Sequence, residues 1–168
     1  MEQTLITQDF AILAPVPEQH LVTGLEAIAQ QLDADPPKVP PVLAYGSNAF
    51  EVFGKADELR GEQCVEMFFY ASHAENPTFH PEATWKATYC KQVHSRRGRY
   101  PGKAFHRPPS TKNDAPTWAI FWLVQDLIEL REPILVSDFQ GLGKKTAYAS
   151  RFIPESPLLV EHPGLIAV

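Results

Sequence analysis

Two short runs carry the residue types that a pocket for a planar ring requires. Tyr45-Gly46-Ser47-Asn48 and Phe68-Phe69-Tyr70-Ala71-Ser72-His73 each end an apolar stretch in an aromatic followed by small polar residues. Aromatic faces stack a base, while amides, hydroxyls and main-chain groups read its edge. Tyr45, Tyr70 and Trp118 are the stacking candidates, and Asn48, Ser72 and Ser110 the candidates for edge hydrogen bonds. A structural alternative stands beside this: an aromatic at a strand end is commonly core.

A second feature is charge. From Ala83 to Asn113 there is no Asp or Glu, yet Lys86, Lys91, Arg96, Arg97, Arg99, Lys103, Arg107 and Lys112 fall there, more than half of the chain's 15 Lys and Arg. The net charge is −5, which opposes general nucleic-acid binding. A segregated basic stretch nonetheless guides an anionic ligand to one face. Arg96, Arg97, Arg99 and Arg107 are the phosphate candidates; a solvated basic loop is the plain alternative. Gly141-Leu142-Gly143-Lys144-Lys145 is a second glycine-containing basic turn, but it lacks the frame of a Walker loop.

Other chemistries find less support. The six histidines show no H-E-x-x-H or H-x-H spacing and there is no C-x-x-C, so no metal site and no cofactor are expected. No G-x-S-x-G elbow is present. Cys64 and Cys90 fall within predicted strands and read as buried thiols of a cytoplasmic protein rather than a disulfide. Glu66 shares a strand face with Tyr70 and Ser72, and Lys86 on the next strand lies within reach. The pair is the candidate for catalysis if the protein is an enzyme, and a cross-strand salt bridge otherwise.

The elements that must position these residues follow from periodicity. The 168 residues fit one domain. Thr4–Ala14 reads as a strand ended by Pro15, and Glu18–Leu32 as an amphipathic helix. Residues 33–41 form a proline-stiffened connection. Val42–Tyr45 is a short strand, and Ala49–Leu59 a helix weakened by Gly54. Cys64–Ser72 and Thr84–Val93 alternate as strands. Residues 94–117 make a long basic loop. Trp118–Val124 is apolar on both faces and reads as a central strand; Asp126–Leu130 and Pro133–Val136 follow it, and Leu158–Val160 closes the sheet. No apolar run reaches membrane-spanning length, and no signal peptide is expected. Helices early and strands late give an α+β class with a curled sheet or barrel.

The order Gly46-Ser47-Asn48-Ala49-Phe50, a helix, Arg60-Gly61-Glu62 and then Val65–Ser72 resembles the PUA-like superfamily, in particular its EVE and ASCH branches. EVE-type domains show W-x-G-V-R-N-Y before a short helix, then a K-x-G-D-x-V-x-F-Y-x-S strand. Tyr45–Asn48 and Leu59–Ser72 stand in those places, Thr84–Val93 for the next strand, and Trp118–Val124 with Pro133–Ser137 for the last. The opening strand and helix, Ala11–Gln31, are similar to the start of an ASCH domain. The resemblance implies a small β-barrel with flanking helices that binds RNA, a nucleotide or a modified base. It carries Tyr45, Ser47, Asn48, Tyr70 and Ser72 over as pocket residues. Ser47 stands where the EVE motif has arginine, a charge that Arg107 would replace. Some ASCH relatives hydrolyse modified nucleosides or RNA with a lysine, a serine or threonine and a glutamate. A third reading is a protein-interaction scaffold, with a homodimer burying Trp85 or Trp122.

Overall fold

The structure, a computed structural model, describes residues 5–75, 78–113 and 117–164. Six strands and two α-helices alternate in the order β1 (Phe10–Pro17), α1 (Glu18–Asp33), β2 (Leu43–Ser47), α2 (Phe50–Arg60), β3 (Val65–Ser72), β4 (Glu82–His94), β5 (Ile120–Leu135) and β6 (Leu158–Glu161). The strands form one mixed sheet in the order β2-β5-β4-β3-β1-β6. Among the paired strands of the described residues, β1 and β3 run parallel and the other neighbours antiparallel. The protein is thus α+β, but the sheet stays open: its outermost strands, β2 and β6, do not pair, and the barrel expectation is corrected to a curled open sheet.

Alternation along β3 sets up two cores. Val65, Met67 and Phe69 face a large cluster with Tyr45, Trp85, Tyr89, Trp122 and the inner faces of both helices, through Leu21, Ala27, Phe53 and Ala56. Phe68 faces the other way, onto Leu13, Leu130, Phe139 and Val160, which Tyr148 and Phe152 cover. A period of two divides one strand between two layers. Trp85 and Trp122 lie inside the large core, so the surface on which the homodimer expectation relied is already used within the chain.

Three element boundaries differ from the sequence reading. β1 runs through Pro15 to Pro17, because β6 pairs with it only at Phe10–Leu13. Beyond Leu13 one edge of β1 carries no neighbouring strand, and a missing N–H there costs no ladder bond. The segments expected separately between residues 118 and 136 are one strand, β5, that begins at Ile120. Register shifts against β4 and a positive φ of 57° at Asp126 bend it, which broke the sequence alternation. α2 is continuous through Gly54, since Phe53 and Ala56 anchor the helix in the core.

The described part of the basic loop is built from short hydrogen-bonded turns. Residues 96–99 form a hairpin closed by reciprocal backbone bonds between Arg96 and Arg99, with Arg97 and Gly98 at positive φ. Single turns of 3-10 helix follow at Ala104–His106 and Pro109–Asn113. Residues 114–116 at the end of the expected loop, and Thr4, lie outside the described residues; of the expected first strand, residues 5–9 are not strand beyond an isolated bridge of Ile6 with Cys64, and β1 starts at Phe10. Buried Gln31 ties the proline-rich connection down. Its amide donates to the carbonyls of Val42 (2.7 Å) and Phe105 (3.1 Å) and accepts from the Val42 N–H (2.8 Å).

Candidate functional site

A cleft of about 670 Å3 opens between the end of β1 and the end of β2. In the sheet order β5, β4 and β3 separate these two strands, so only curling of the sheet brings them to one site. Its wall holds Pro15–Pro17 and His20 on one side and Tyr45–Ala49 on the other. Arg107, Thr111, Trp118 and Trp122 line it too, and Glu155–Pro157 form the remaining edge. The size is that of a small-ligand site.

Trp118 is fixed from three directions. Its backbone N–H donates to the Gly98 carbonyl at the hairpin (3.0 Å). The next N–H, of Ala119, donates to Asn48 Oδ1 (2.9 Å). Its indole lies flat against Gly46, where a Cβ would stand 2.2 Å from Trp118 Cδ1. Gly46 is therefore required by a close approach of ring to backbone. Trp118 remains partly exposed, whereas Trp122 is 2% exposed and stacked against Tyr45 at 4.8 Å and Phe53 at 5.7 Å.

Tyr45 is less free than its position in the sequence suggests. Trp122 occupies its ring, and its hydroxyl donates to the His20 carbonyl (3.0 Å). Burial pushes the Tyr45 hydroxyl pKa far up, which the nearby Arg107 charge offsets only in part. α1 admits this ring because residue 24 is glycine; a Cβ there would sit 2.9 Å from the Tyr45 hydroxyl. Trp118 thus provides the ring surface of the cleft, while Tyr45 shapes its floor.

The polar lining is mainly of donors. Asn48 spends its oxygen on Ala119 and keeps its amide N–H groups for the cleft. Ser47 Oγ accepts from the Ala49 N–H (3.0 Å) and keeps its O–H. Arg107 donates through Nη1 to the Ala44 carbonyl (2.8 Å), and its guanidinium lies 5.1 Å from the Phe121 ring centroid. The indole N–H groups of Trp118 and Trp122 are buried with no acceptor among the described residues. Each such donor costs about 1–3 kcal/mol. Glu155, exposed, is the carboxylate on the wall.

Arg107, Thr111 and Trp118 also line an adjoining pocket of about 270 Å3, whose other walls include Gly98, Arg99, Tyr100 and Phe121. The two compartments share one wall, so a ligand with a ring and an anionic tail has a place for each part.

Of the residues singled out from the sequence, Tyr45, Gly46, Ser47, Asn48, Arg107 and Trp118 come together on the main cleft. Arg99 lines only the adjoining pocket. Arg96 and Arg97 lie at the exposed hairpin and line neither. Tyr70 and Ser72 pair with Pro15 and Pro17, one strand behind the wall. Ser110 stands behind His20, with its Oγ 2.6 Å from Nδ1 and 2.7 Å from Thr23 Oγ1. Glu66 and Lys86 lie 3.6 Å apart, outside the cleft lining. His162 Nε2 lies 2.8 Å from the same carboxylate, an ion-pair arrangement not foreseen in the sequence. In the 141–145 turn, Gly143 N–H donates to the Glu161 carboxylate (3.0 Å), which puts an acid where a phosphate would sit. Among the described residues no group of three or more His, Cys, Asp and Glu is placed to hold a metal ion. Among them, too, no helix is long and apolar enough to cross a membrane.

His20, Thr111 and the Glu155–Pro157 edge were not singled out from the sequence. For His20 a signal existed: positions 20, 24, 27 and 31 recur at helical spacing on one face of α1, all buried. Taken together, fold and site define an open-sheet α+β protein with an aromatic-walled, donor-rich cleft. Compared with known proteins, the chain matches no family model, no curated protein and no solved structure.

Proposed function

We propose that the protein is a PUA-like binding module that holds a nucleotide or modified base, free or within RNA, in the cleft between β1 and β2. The observation that carries this reading is the excess of donors around one available aromatic ring. Asn48 and Ser47 bring an amide and a hydroxyl to the wall and Arg107 a positive charge, while Glu155 is the carboxylate among the described lining residues. A ligand that fits is planar, rich in acceptors and anionic. The base stacks on Trp118, its carbonyl and ring-nitrogen acceptors take the Asn48 and Ser47 donors, and the phosphate lies toward Arg107 and, in the adjoining pocket, Arg99.

The test is a tryptophan-fluorescence titration with nucleosides, nucleoside monophosphates and short single-stranded RNA and DNA at two salt concentrations. Binding of monophosphates that weakens with salt, and whose salt dependence flattens in Arg107→Gln, supports the reading. No saturable response to any of these ligands overturns it. Glu66 and Lys86 lie apart from the cleft, so the same ligand remains chemically unchanged on prolonged incubation; nucleoside hydrolysis lost in Glu66→Gln would instead favour the ASCH-like hydrolase reading.

A further inference from the structure

Cys64, the residue before β3, and Cys90 in β4 adjoin the last paired position of the two strands. The antiparallel register pairs Glu66 with Thr88 and, at its end, Val65 with Tyr89, and Cys64 and Cys90 are the next residues along the two chains. Residues directly opposed in an antiparallel pair point to the same face with Cα atoms about 4.5–5.5 Å apart, inside the range a disulfide spans. Both are free thiols in the structure, Cys64 buried and Cys90 half-buried.

We propose that Cys64 and Cys90 are a dithiol pair that closes to a cross-strand disulfide when a small organic disulfide reaches Cys90. The partly exposed Cys90 loses its proton and its thiolate attacks one sulfur of the small disulfide. A mixed disulfide forms and one thiolate leaves, taking up a proton. Cys64, deprotonated in turn, attacks the Cys90 sulfur and expels the second small thiol. Two protein thiols are oxidised, and one small disulfide is reduced to two thiols. The site has a consequence for the fold: Cys64 N–H donates to the Leu5 carbonyl (2.8 Å) and its carbonyl accepts from Thr7 N–H (3.0 Å). The bond would therefore lock β3 to β4 at the point where the segment before β1 docks.

Burial, with the neighbouring Cys64 thiol, pushes the Cys90 thiol up to about 12. Closure is accordingly slow at neutral pH, and its rate rises about tenfold per pH unit as the thiolate fraction grows.

The folded protein is incubated with oxidised glutathione from neutral to mildly alkaline pH and followed by intact mass and non-reducing peptide mapping. The expected product has lost the mass of two hydrogens, carries a Cys64–Cys90 cross-link, and returns to the dithiol with dithiothreitol. Its unfolding equilibrium shifts toward the folded state by about two to three powers of ten. Cys64→Ser should instead stop at a stable glutathione adduct on Cys90. A persistent adduct on the parent protein, a cross-link between chains, or two thiols unreacted after unfolding-free exposure at the alkaline end would overturn the proposal.

Discussion

Replacing Gly46 with alanine adds one methyl group at the most crowded point of the cleft wall. The new Cβ would lie 2.2, 2.4 and 2.5 Å from Trp118 Cδ1, Cγ and Nε1. Ordinary carbon contacts begin near about 3.5 Å, so ring and strand must separate by about 1 Å. β2 is held in register by Tyr45–Trp122, Gly46–Phe121 and Ser47–Ile120 pairing with β5, so the strand stays. The Trp118 backbone is also held, at Gly98 and through Ala119 at Asn48. The indole therefore rotates away from the wall. Overpacking of this kind costs about 1–3 kcal/mol, and a ring that turns outward relieves part of it. Ligand binding has no such relief: loss of the stacking surface removes about 1–3 kcal/mol, or about 5- to 150-fold in affinity. The assay is a fluorescence titration with a nucleoside monophosphate, paired with urea unfolding. Red-shifted emission, weakened binding and a modest loss of stability are expected. A Gly46→Ala protein that binds and emits like its parent would refute the argument that Trp118 rests on Gly46 to form the site.

Three further outcomes follow from the packing. The same glycine-to-alanine change should have opposite signs in the two helices: Gly54→Ala, with nothing within 4 Å of the added methyl, stabilises by about 0.4–1 kcal/mol, whereas Gly24→Ala, 2.9 Å from the Tyr45 hydroxyl, destabilises; equal shifts in urea midpoint would contradict the placement of α1. Gln31→Glu should destabilise as Gln31→Ala does, because a carboxylate cannot donate to the carbonyls of Val42 and Phe105; thermal melts that show the isosteric variant unharmed would count against that network. Burial pushes the Asp57 carboxyl up, but hydrogen bonds from Arg60, Gln92 and Tyr89, with the Arg60 charge, outweigh it and hold the carboxyl below 3.8. The stability this gives is complete above the unfolded value and is lost as pH falls through the lower folded value. Urea unfolding across the acid range should therefore show a steeper loss in the parent than in Asp57→Asn, and parallel profiles would contradict it.

Much of the fold could be read from periodicity. Val65, Met67 and Phe69 alternate with Glu66, Phe68 and Tyr70 because each face of β3 meets its own core. α1 did not show its buried face: of the apolar residues at helical spacing, Leu21 is buried but Val22, Leu25 and Leu32 are exposed, and the inward face is His20, Leu21, Gly24, Ala27 and Gln31, small and polar residues that a hydrophobicity pattern passes over. β5 did not show its length, since bulges shift its register against β4 and Asp126 adopts a positive φ; alternation fails wherever a strand coils. Pro15 reads as a terminator in sequence, yet it pairs with Tyr70 of β3 on one edge and sits where the other edge of β1 has no neighbouring strand. The site was legible where it is local: Tyr45–Asn48 are the end of β2 and the residue after it, and Trp118 rests on the glycine among them. Tyr70 and Ser72 carried the same local signature but end one strand away. His20 and Glu155–Pro157 reach the cleft only through the curl of the sheet, a property of the whole chain that no short window contains.

The central claim is that a nucleotide occupies the cleft beside Trp118 and Trp122. The chain has three tryptophans, so a 1H–15N spectrum gives one indole N–H signal for each of Trp85, Trp118 and Trp122. Titration with a nucleoside monophosphate that quenches fluorescence should move the Trp118 and Trp122 indole signals while that of Trp85, in the core and off the cleft wall, stays in place. Movement of Trp85 alone, or saturable binding that leaves all three signals unmoved, would contradict it.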